Sequence, residues 1–277
     1  MFHEIAPYKL DITYIKSTPK DTDYVICTGA SGGIYVYKGE ELRLPTFADS
    51  GLSKGEVGFL FKIDEMSFYR PLTKVDFKNP EDFEEVTVRD LRNRKPMHLA
   101  YGATLGKFIG NFYDNNAYCG KCGGKCVHSE TERAMVCTSC GHTAYPQICP
   151  SVIVLIRNGD ETVLTKYQAS HSAYRRYALV AGYVESGETP EEAVHREVYE
   201  EVGLIVKNVT YYKSQPWPLS GALLFGFVCD LDGDGTIVRQ EDELAVAEWV
   251  KREDVPERSA DVSLTSEMME KFRTGKL

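Results

Sequence analysis

The chain has 277 residues, long enough for two domains plus a small insert, and it is 43% hydrophobic and 26% charged, the composition of a soluble globular protein. Its formal net charge is −9, which a zinc held by four thiolates would take to about −11. That balance argues against broad electrostatic binding to nucleic acid, though not against recognition of one nucleotide end. The N-terminus, MFHEIAP, has neither a basic n-region nor an apolar h-region, so no signal peptide is expected. No apolar run approaches the roughly 18 residues of a membrane span. The eight cysteines are clustered, which suits a metal site in a reducing cytoplasm better than a disulfide framework.

Residues 1–113 read as a separate α+β domain. Short strands are expected at 24–28, 34–37 and 57–63, parted by glycine-rich turns. Helical periodicity appears at 82–94 and 97–113, with Pro96 between. The stretch Thr28-Gly29-Ala30-Ser31-Gly32-Gly33-Ile34-Tyr35 tempts a dinucleotide-binding reading, but Tyr35 stands where the last glycine belongs. A strand signal also follows where a helix must open to hold a pyrophosphate. A turn between two strands accounts for it better.

Residues 114–146 break in composition. Two copies of C-x2-C-G, Cys119/Cys122 and Cys137/Cys140 with their glycines, are separated by fourteen residues. Each pair can place two sulfurs on one metal, and four thiolates point to structural zinc. A site filled entirely by protein leaves no position for substrate, so this zinc holds the fold. Cys126, His128 and His142 lie nearby, but their spacing fits a ribbon less well.

Residues 147–277 alternate strand and helix signals, with strands expected at 152–156, 162–165, 177–184, 205–213, 222–228 and 244–250 and a closing helix at 263–272. Strands flanked by helices imply an α/β domain, a mixed sheet covered on both faces. Asp230 to Glu241 satisfies the twelve-residue EF-hand pattern. That loop needs a helix on each side, and strand signals flank it instead, so an acidic hairpin loop is the reading.

The densest stretch is 182–204. Thr189, Pro190 and Glu192 mark a helix start and Gly203 its stop. At about 100° per residue, Glu197, Glu200 and Glu201 share one helix edge, beside a stripe of Val194, Val198 and Val202. Crowded carboxylates repel, and hard oxygen ligands packed this way suit Mg²⁺ or Mn²⁺. An ordinary acidic helix would explain a lone E-x-x-E-E. It does not explain G-x5-E-x7-R-E-U-x-E-E-x-G-U, with U aliphatic, met at Gly182, Glu188, Arg196, Glu197, Val198, Glu200, Glu201, Gly203 and Leu204.

This pattern resembles the signature of the Nudix hydrolases. The resemblance implies an α/β/α sandwich and hydrolysis of a nucleoside diphosphate linked to another moiety. Divalent cations neutralise a pyrophosphate bridge, orient it, and lower the pKa of a coordinated water, whose proton a carboxylate takes. The resemblance places Glu197, Glu200 and Glu201 in these roles as ligands and, through one of them, base. It makes Arg196 the ion-pairing partner that fixes them, Glu188 a support of the loop, and the Ala181 carbonyl a backbone ligand.

Ser214-Gln215-Pro216-Trp217-Pro218 follows the box. With an N-terminal domain, a ribbon and the box in that order, it resembles the NADH pyrophosphatase branch, which carries S-Q-P-W-P-F-P-x-S there. The resemblance covers residues 85–275 well and the first 85 by position alone; no function for residues 1–85 follows. It implies cleavage of NAD(H) to AMP and nicotinamide mononucleotide and, in some members, removal of an NAD cap from RNA 5′ ends. It implies further that Tyr183 stacks on a base and that Gln215, Pro216, Trp217, Pro218 and Ala222 line the substrate. Glu132 and Tyr145 are contacts from the ribbon, Glu243 is the last metal ligand, and Arg89 reaches a partner subunit in a cytoplasmic homodimer. The family's F-P-x-S reads Leu219-Ser220-Gly221-Ala222 here, so the final serine hydroxyl is missing. That leaves the dinucleotide open: ADP-ribose and diadenosine polyphosphates remain alternatives. A non-catalytic nucleotide-binding regulator is a third reading, against which the intact glutamate set argues.

Overall fold

The computed structural model describes residues 1–170, 176–258 and 262–277. The chain divides into two compact units. One holds residues 2–147 with 218–220; the other holds residue 1, residues 148–217 and residues 221–277.

In the first unit, β1 (Leu10–Asp11), β2 (Tyr24–Val25), β3 (Ile34–Tyr37), β4 (Val57–Ile63), β5 (Met66–Pro71) and β6 (Phe83–Val86) precede two helices, α1 (Val88–Leu91) and α2 (Met97–Asn115). The sheet order is β1-β4-β5-β2, with β3 and β6 as a separate antiparallel pair. The glycine-rich stretch at 28–35 is a turn: Thr28 bridges Ile34, and the Gly29 N–H donates to the Gly33 carbonyl at 3.1 Å.

The helix expected over 82–94 is a correction. Phe83 and Val86 pair with Tyr37 and Ile34 and bury their side chains, so residues 83–86 are strand. Thr87 then accepts a hydrogen bond from the Asp90 N–H at 3.2 Å and starts a helix of four residues. Long-range pairing overrides the local periodicity there.

The ribbon strands β7 (Cys126–His128), β8 (Met135–Cys137) and β9 (Thr143–Ala144) form a three-stranded sheet in the same unit. Its ties to the rest of the unit are specific. Arg133 donates to the carbonyls of Ile12 and Leu60 at 3.2 and 2.5 Å, Tyr14 donates to that of Ser129 at 2.8 Å, and His128 stacks on Tyr113 at 4.4 Å.

The second unit is built on β10 (Cys149–Asn158), β11 (Glu161–Tyr167), β12 (Val180–Tyr183), α3 (Pro190–Val202), β13 (Val206–Trp217), β14 (Ala222–Leu231), β15 (Leu244–Lys251) and α4 (Leu264–Arg273). The sheet order is β13-β14-β10-β11-β15, with β12 also on β10; β10 and β14 run parallel and the other pairs antiparallel. Alternation along β10 splits the core. Val152, Val154 and Ile156 pack with Val194, Val198 and Val202 of α3, while Ile153 and Leu155 pack with Leu264, Met268, Met269 and Phe272 of α4. Each such side chain contributes roughly 1.5–3 kcal/mol on burial. The result is an α/β/α sandwich. The acidic loop after β14 has strands on both sides in the chain order, but the expected hairpin is a correction: β14 pairs with β13 and β10 and β15 pairs with β11, so the loop connects strands that are not neighbours. Among the described residues, no helix is long and apolar enough to cross a membrane.

Candidate active site

The site is set by how α3 begins and ends. Thr189 and Glu192 form a capping box: the Thr189 hydroxyl accepts from the Glu192 N–H at 3.2 Å, and the Glu192 carboxylate accepts from the Thr189 N–H at 2.8 Å. Gly203, at φ 69°, stops the helix in the left-handed region. Between these ends Ala193, Val194, Val198 and Val202 are buried, which turns Glu197 and Glu201 toward β12 and leaves His195 on the surface.

Arg196 is the hub. It donates through Nε and Nη2 to both oxygens of Glu188 at 2.7 and 2.8 Å, through Nη1 to Glu197 and Glu200 at 2.8 and 3.0 Å, and through Nη2 to the Tyr183 carbonyl at 2.9 Å. One planar guanidinium thus ties the loop before the helix to two of its carboxylates. These bonds hold the Glu188 carboxyl below the usual carboxylate range.

Glu201 differs from its neighbours. It is 1% exposed; its Oε1 accepts from the Ala181 N–H at 3.4 Å, and its buried Oε2 has no hydrogen-bond partner among the described residues. Burial, reinforced by the Glu243 charge, pushes its carboxyl up to about 9. Burial also raises Glu197, with Arg196 opposing the shift and Glu243 adding to it. Glu243, just before β15, therefore lies near enough for its charge to act on both carboxylates. Gly182 is required by closeness: a Cβ there would lie 2.0–2.2 Å from the Glu197 carboxyl. Ser151 on β10, which nothing in the sequence marked, donates to the Gly182 carbonyl at 2.9 Å and steadies that approach.

The other expected contacts fall unevenly. Tyr183 is 52% exposed at the end of β12, and Pro216 and Trp217 end β13. Gln215 is a correction. It is fully buried, its Oε1 accepts from the Leu264 N–H at 2.7 Å, and its Nε2 donates to the Val262 carbonyl at 3.1 Å. The register of β13 is unbroken from Lys213 to Trp217, so Gln215 and the half-buried Trp217 share a face of the sheet; what removes Gln215 is that its amide is spent on the start of α4. Ala222 is 5% exposed and pairs with Trp217 across the sheet. Pro218 is buried and belongs to the first unit. In that unit Tyr145 donates to Glu132 at 3.0 Å, with both side chains exposed, and Arg89 is exposed on α1.

The sulfurs of Cys119, Cys122, Cys137 and Cys140 all lie within 4.8 Å of one another. Three of the separations are 3.8, 3.5 and 3.4 Å, near the roughly 3.8 Å that a tetrahedron of 2.3 Å Zn–S bonds requires. The backbone N–H groups of Cys140 and Ser139 bring the Cys137 thiol down to about 6, toward the thiolate that zinc takes. The donor set fits structural zinc. At the helix edge, a buried carboxylate oxygen without a partner among further carboxylates is the environment a divalent cation would relieve.

Residues 148–272 match the family described as NUDIX domain, and residues 114–145 match the NADH pyrophosphatase zinc ribbon domain. A Haemophilus influenzae (strain PittEE) protein named NAD-capped RNA hydrolase NudC is 38% identical over 180 residues, 65% of this chain and 67% of its own length. An Escherichia coli O1:K1 / APEC protein of the same name is 43% identical over 156 residues, 56% of this chain and 59% of its own. A crystal structure of a NUDIX hydrolase from Nitrosomonas europaea covers 57% of this chain and 91% of its own at 17% identity, with a TM-score of 0.49. The chain belongs to the Nudix hydrolases and carries the zinc ribbon of their NADH pyrophosphatase branch.

Proposed function

We propose that the chain hydrolyses the pyrophosphate bond of NAD(H) to AMP and nicotinamide mononucleotide, and that it removes the NAD cap from RNA 5′ ends. The observation that carries the reaction type is the buried, unpartnered Oε2 of Glu201 set among Glu197, Glu200 and Glu243. The ribbon match and the relatives named NAD-capped RNA hydrolase support the substrate.

In this reading Glu197, Glu200, Glu201, Glu243 and the Ala181 carbonyl hold Mg²⁺ or Mn²⁺, the hard cations that oxygen donors select. A divalent cation held there would supply charge neutralisation at the phosphates and would lower the pKa of the attacking water. Arg196 keeps Glu197 and Glu200 in place against mutual repulsion, and Glu188 fixes Arg196 in turn. One of the three helix glutamates takes the proton from the attacking water. Tyr183 and Trp217 supply aromatic faces for a base or nicotinamide ring. Pro216 and Ala222 shape that wall. Gln215 is not among the contacts. A cytoplasmic homodimer, to whose partner site Arg89 contributes, belongs to the same reading.

The test is one panel of NADH, NAD, ADP-ribose, diadenosine polyphosphates and NAD-capped RNA, compared by kcat/KM with Mg²⁺ and with Mn²⁺. The highest value on NADH, NAD or capped RNA is expected. A preference for ADP-ribose or a diadenosine polyphosphate would overturn the substrate, and tight binding with no turnover would overturn the reaction.

A further inference from the structure

The segment that carries Glu243 has almost no regular structure of its own. It follows the acidic loop and precedes β15, in a stretch that lacks helix and strand from residue 232 to residue 243. A carboxylate in such a segment is imprecisely placed unless the chain on both sides of it is tied down. Among the described residues, two sets of ties bear directly on Glu243.

The first tie is to the end of α3. The last carbonyls of a helix have no partner within it. The Val238 N–H donates to the Val202 carbonyl at 2.9 Å, and the Gln240 N–H donates to the Glu201 carbonyl at 3.0 Å. The chain leading to Glu243 is thereby hydrogen-bonded to the backbone of Glu201, the buried carboxylate on which the Glu243 charge acts.

The second tie is Gln168. The register of β11 against β15 breaks between Lys166 and Tyr167, and a bulge of this kind re-aims the residues that follow it. Gln168, the next residue, turns onto the Glu243 segment. Its N–H donates to the Glu243 carbonyl at 2.8 Å, and its side-chain Nε2 donates to the carbonyls of Glu241 and Leu244 at 3.1 and 3.4 Å. Two carbonyl acceptors can be met only by the nitrogen end of the amide, so the orientation is fixed by chemistry. One residue therefore binds the carbonyls of Glu241, Glu243 and Leu244. Leu244 is itself fully buried, which anchors the far side of the segment.

We infer that Gln168 is a positioning residue that sets the Glu243 carboxylate against Glu201 and Glu197 for divalent-cation binding. This rests on the reading of Glu243 as a ligand. A side chain that orients a ligand without touching the metal typically changes metal affinity by about 10–100-fold when removed. Gln168→Met keeps the length and removes the amide while leaving the backbone bond to Glu243.

The experiment measures Mn²⁺ binding to the full zinc-loaded chain from the loss of free Mn²⁺ signal in electron paramagnetic resonance. It compares the parent, Gln168→Met, Glu243→Gln and the double variant, with the KM for NADH and the unfolding temperature as controls. Expected are an Mn²⁺ dissociation constant about tenfold higher for Gln168→Met, an unchanged KM, and a double variant no weaker than Glu243→Gln alone. Parent-like Mn²⁺ binding in Gln168→Met beside weakened binding in Glu243→Gln would overturn the positioning role and leave the ligand reading standing. Independent, additive losses in the double variant would show that Gln168 acts other than through Glu243. Parent-like binding in Glu243→Gln would remove the ligand reading itself, and the inference with it.

Discussion

Glu201→Gln separates the cost of the acidic cluster from its use. A carboxyl that titrates near 4.5 in the unfolded chain and about 9 in the folded one binds its proton more tightly when folded. Its folded pKa is raised, so stability is full below pH 4.5 and is lost as pH rises toward 9. The loss runs at about 1.4 kcal/mol per pH unit across that window. At pH 7 this amounts to about 3 kcal/mol, and at pH 5 to less than about 1 kcal/mol. Glutamine keeps the shape and the acceptor facing Ala181 but cannot ionise. In zinc-loaded protein without added Mg²⁺ or Mn²⁺, Glu201→Gln should therefore melt higher than the parent at pH 7, by roughly 6–12 °C. The two should nearly coincide at pH 5. Hydrolysis should be almost abolished, and added Mn²⁺ should stabilise the parent far more than the variant. The assay is thermal unfolding at the two pH values with and without Mn²⁺, paired with turnover of NADH. A variant no more stable than the parent at pH 7, or one that keeps turnover at saturating cation, would refute the reasoning.

Gly182→Ala puts a methyl where the Glu197 carboxyl lies, and the flexible side chain yields before the backbone does. Unfolding temperature should move little, while kcat/KM falls about 100-fold, the scale of a displacement of about 1 Å at a reacting group. Cys137→Ser removes one of four thiolates, so metal analysis should fall from about one zinc per chain toward none, with loss of stability; a folded, zinc-free parent would contradict the ribbon reading. Gln215→Leu leaves the Leu264 N–H unsatisfied and should cost about 1–3 kcal/mol of stability with the KM for NADH unchanged. A raised KM without loss of stability would return Gln215 to the substrate wall.

What the sequence makes legible follows the range of the interaction. The caps of α3 involve residues within a few positions of each other, so Thr189, Pro190, Glu192 and Gly203 can be read directly. The cysteine pairs are likewise local, and their spacing alone brings out the ribbon. Residues 83–86 fail for the opposite reason: their strand exists because β3, more than forty residues earlier, offers an edge. Gln215 and Ser151 are also matters of distance. One meets residues 262 and 264, the other residue 182, and no spacing rule connects them. The motif therefore shows which carboxylates crowd together. Only the packed chain shows that Glu201 alone among the helix glutamates is fully sealed from solvent.

The Arg196 hub gives the molecule an order of assembly. Its guanidinium already compensates Glu188, Glu197 and Glu200, so the acidic edge needs no cation in order to form. The ribbon has no cationic side chain in that role among the described residues: backbone N–H groups reach the Cys119 and Cys137 sulfurs, but four clustered thiolates still call for a metal to hold them together. A newly made chain starved of zinc should stall during maturation. One starved of magnesium or manganese should mature fully and wait, idle, until the cation arrives. Scarcity of the first metal is then recorded as missing protein, and scarcity of the second as silent protein that addition of the cation restores at once.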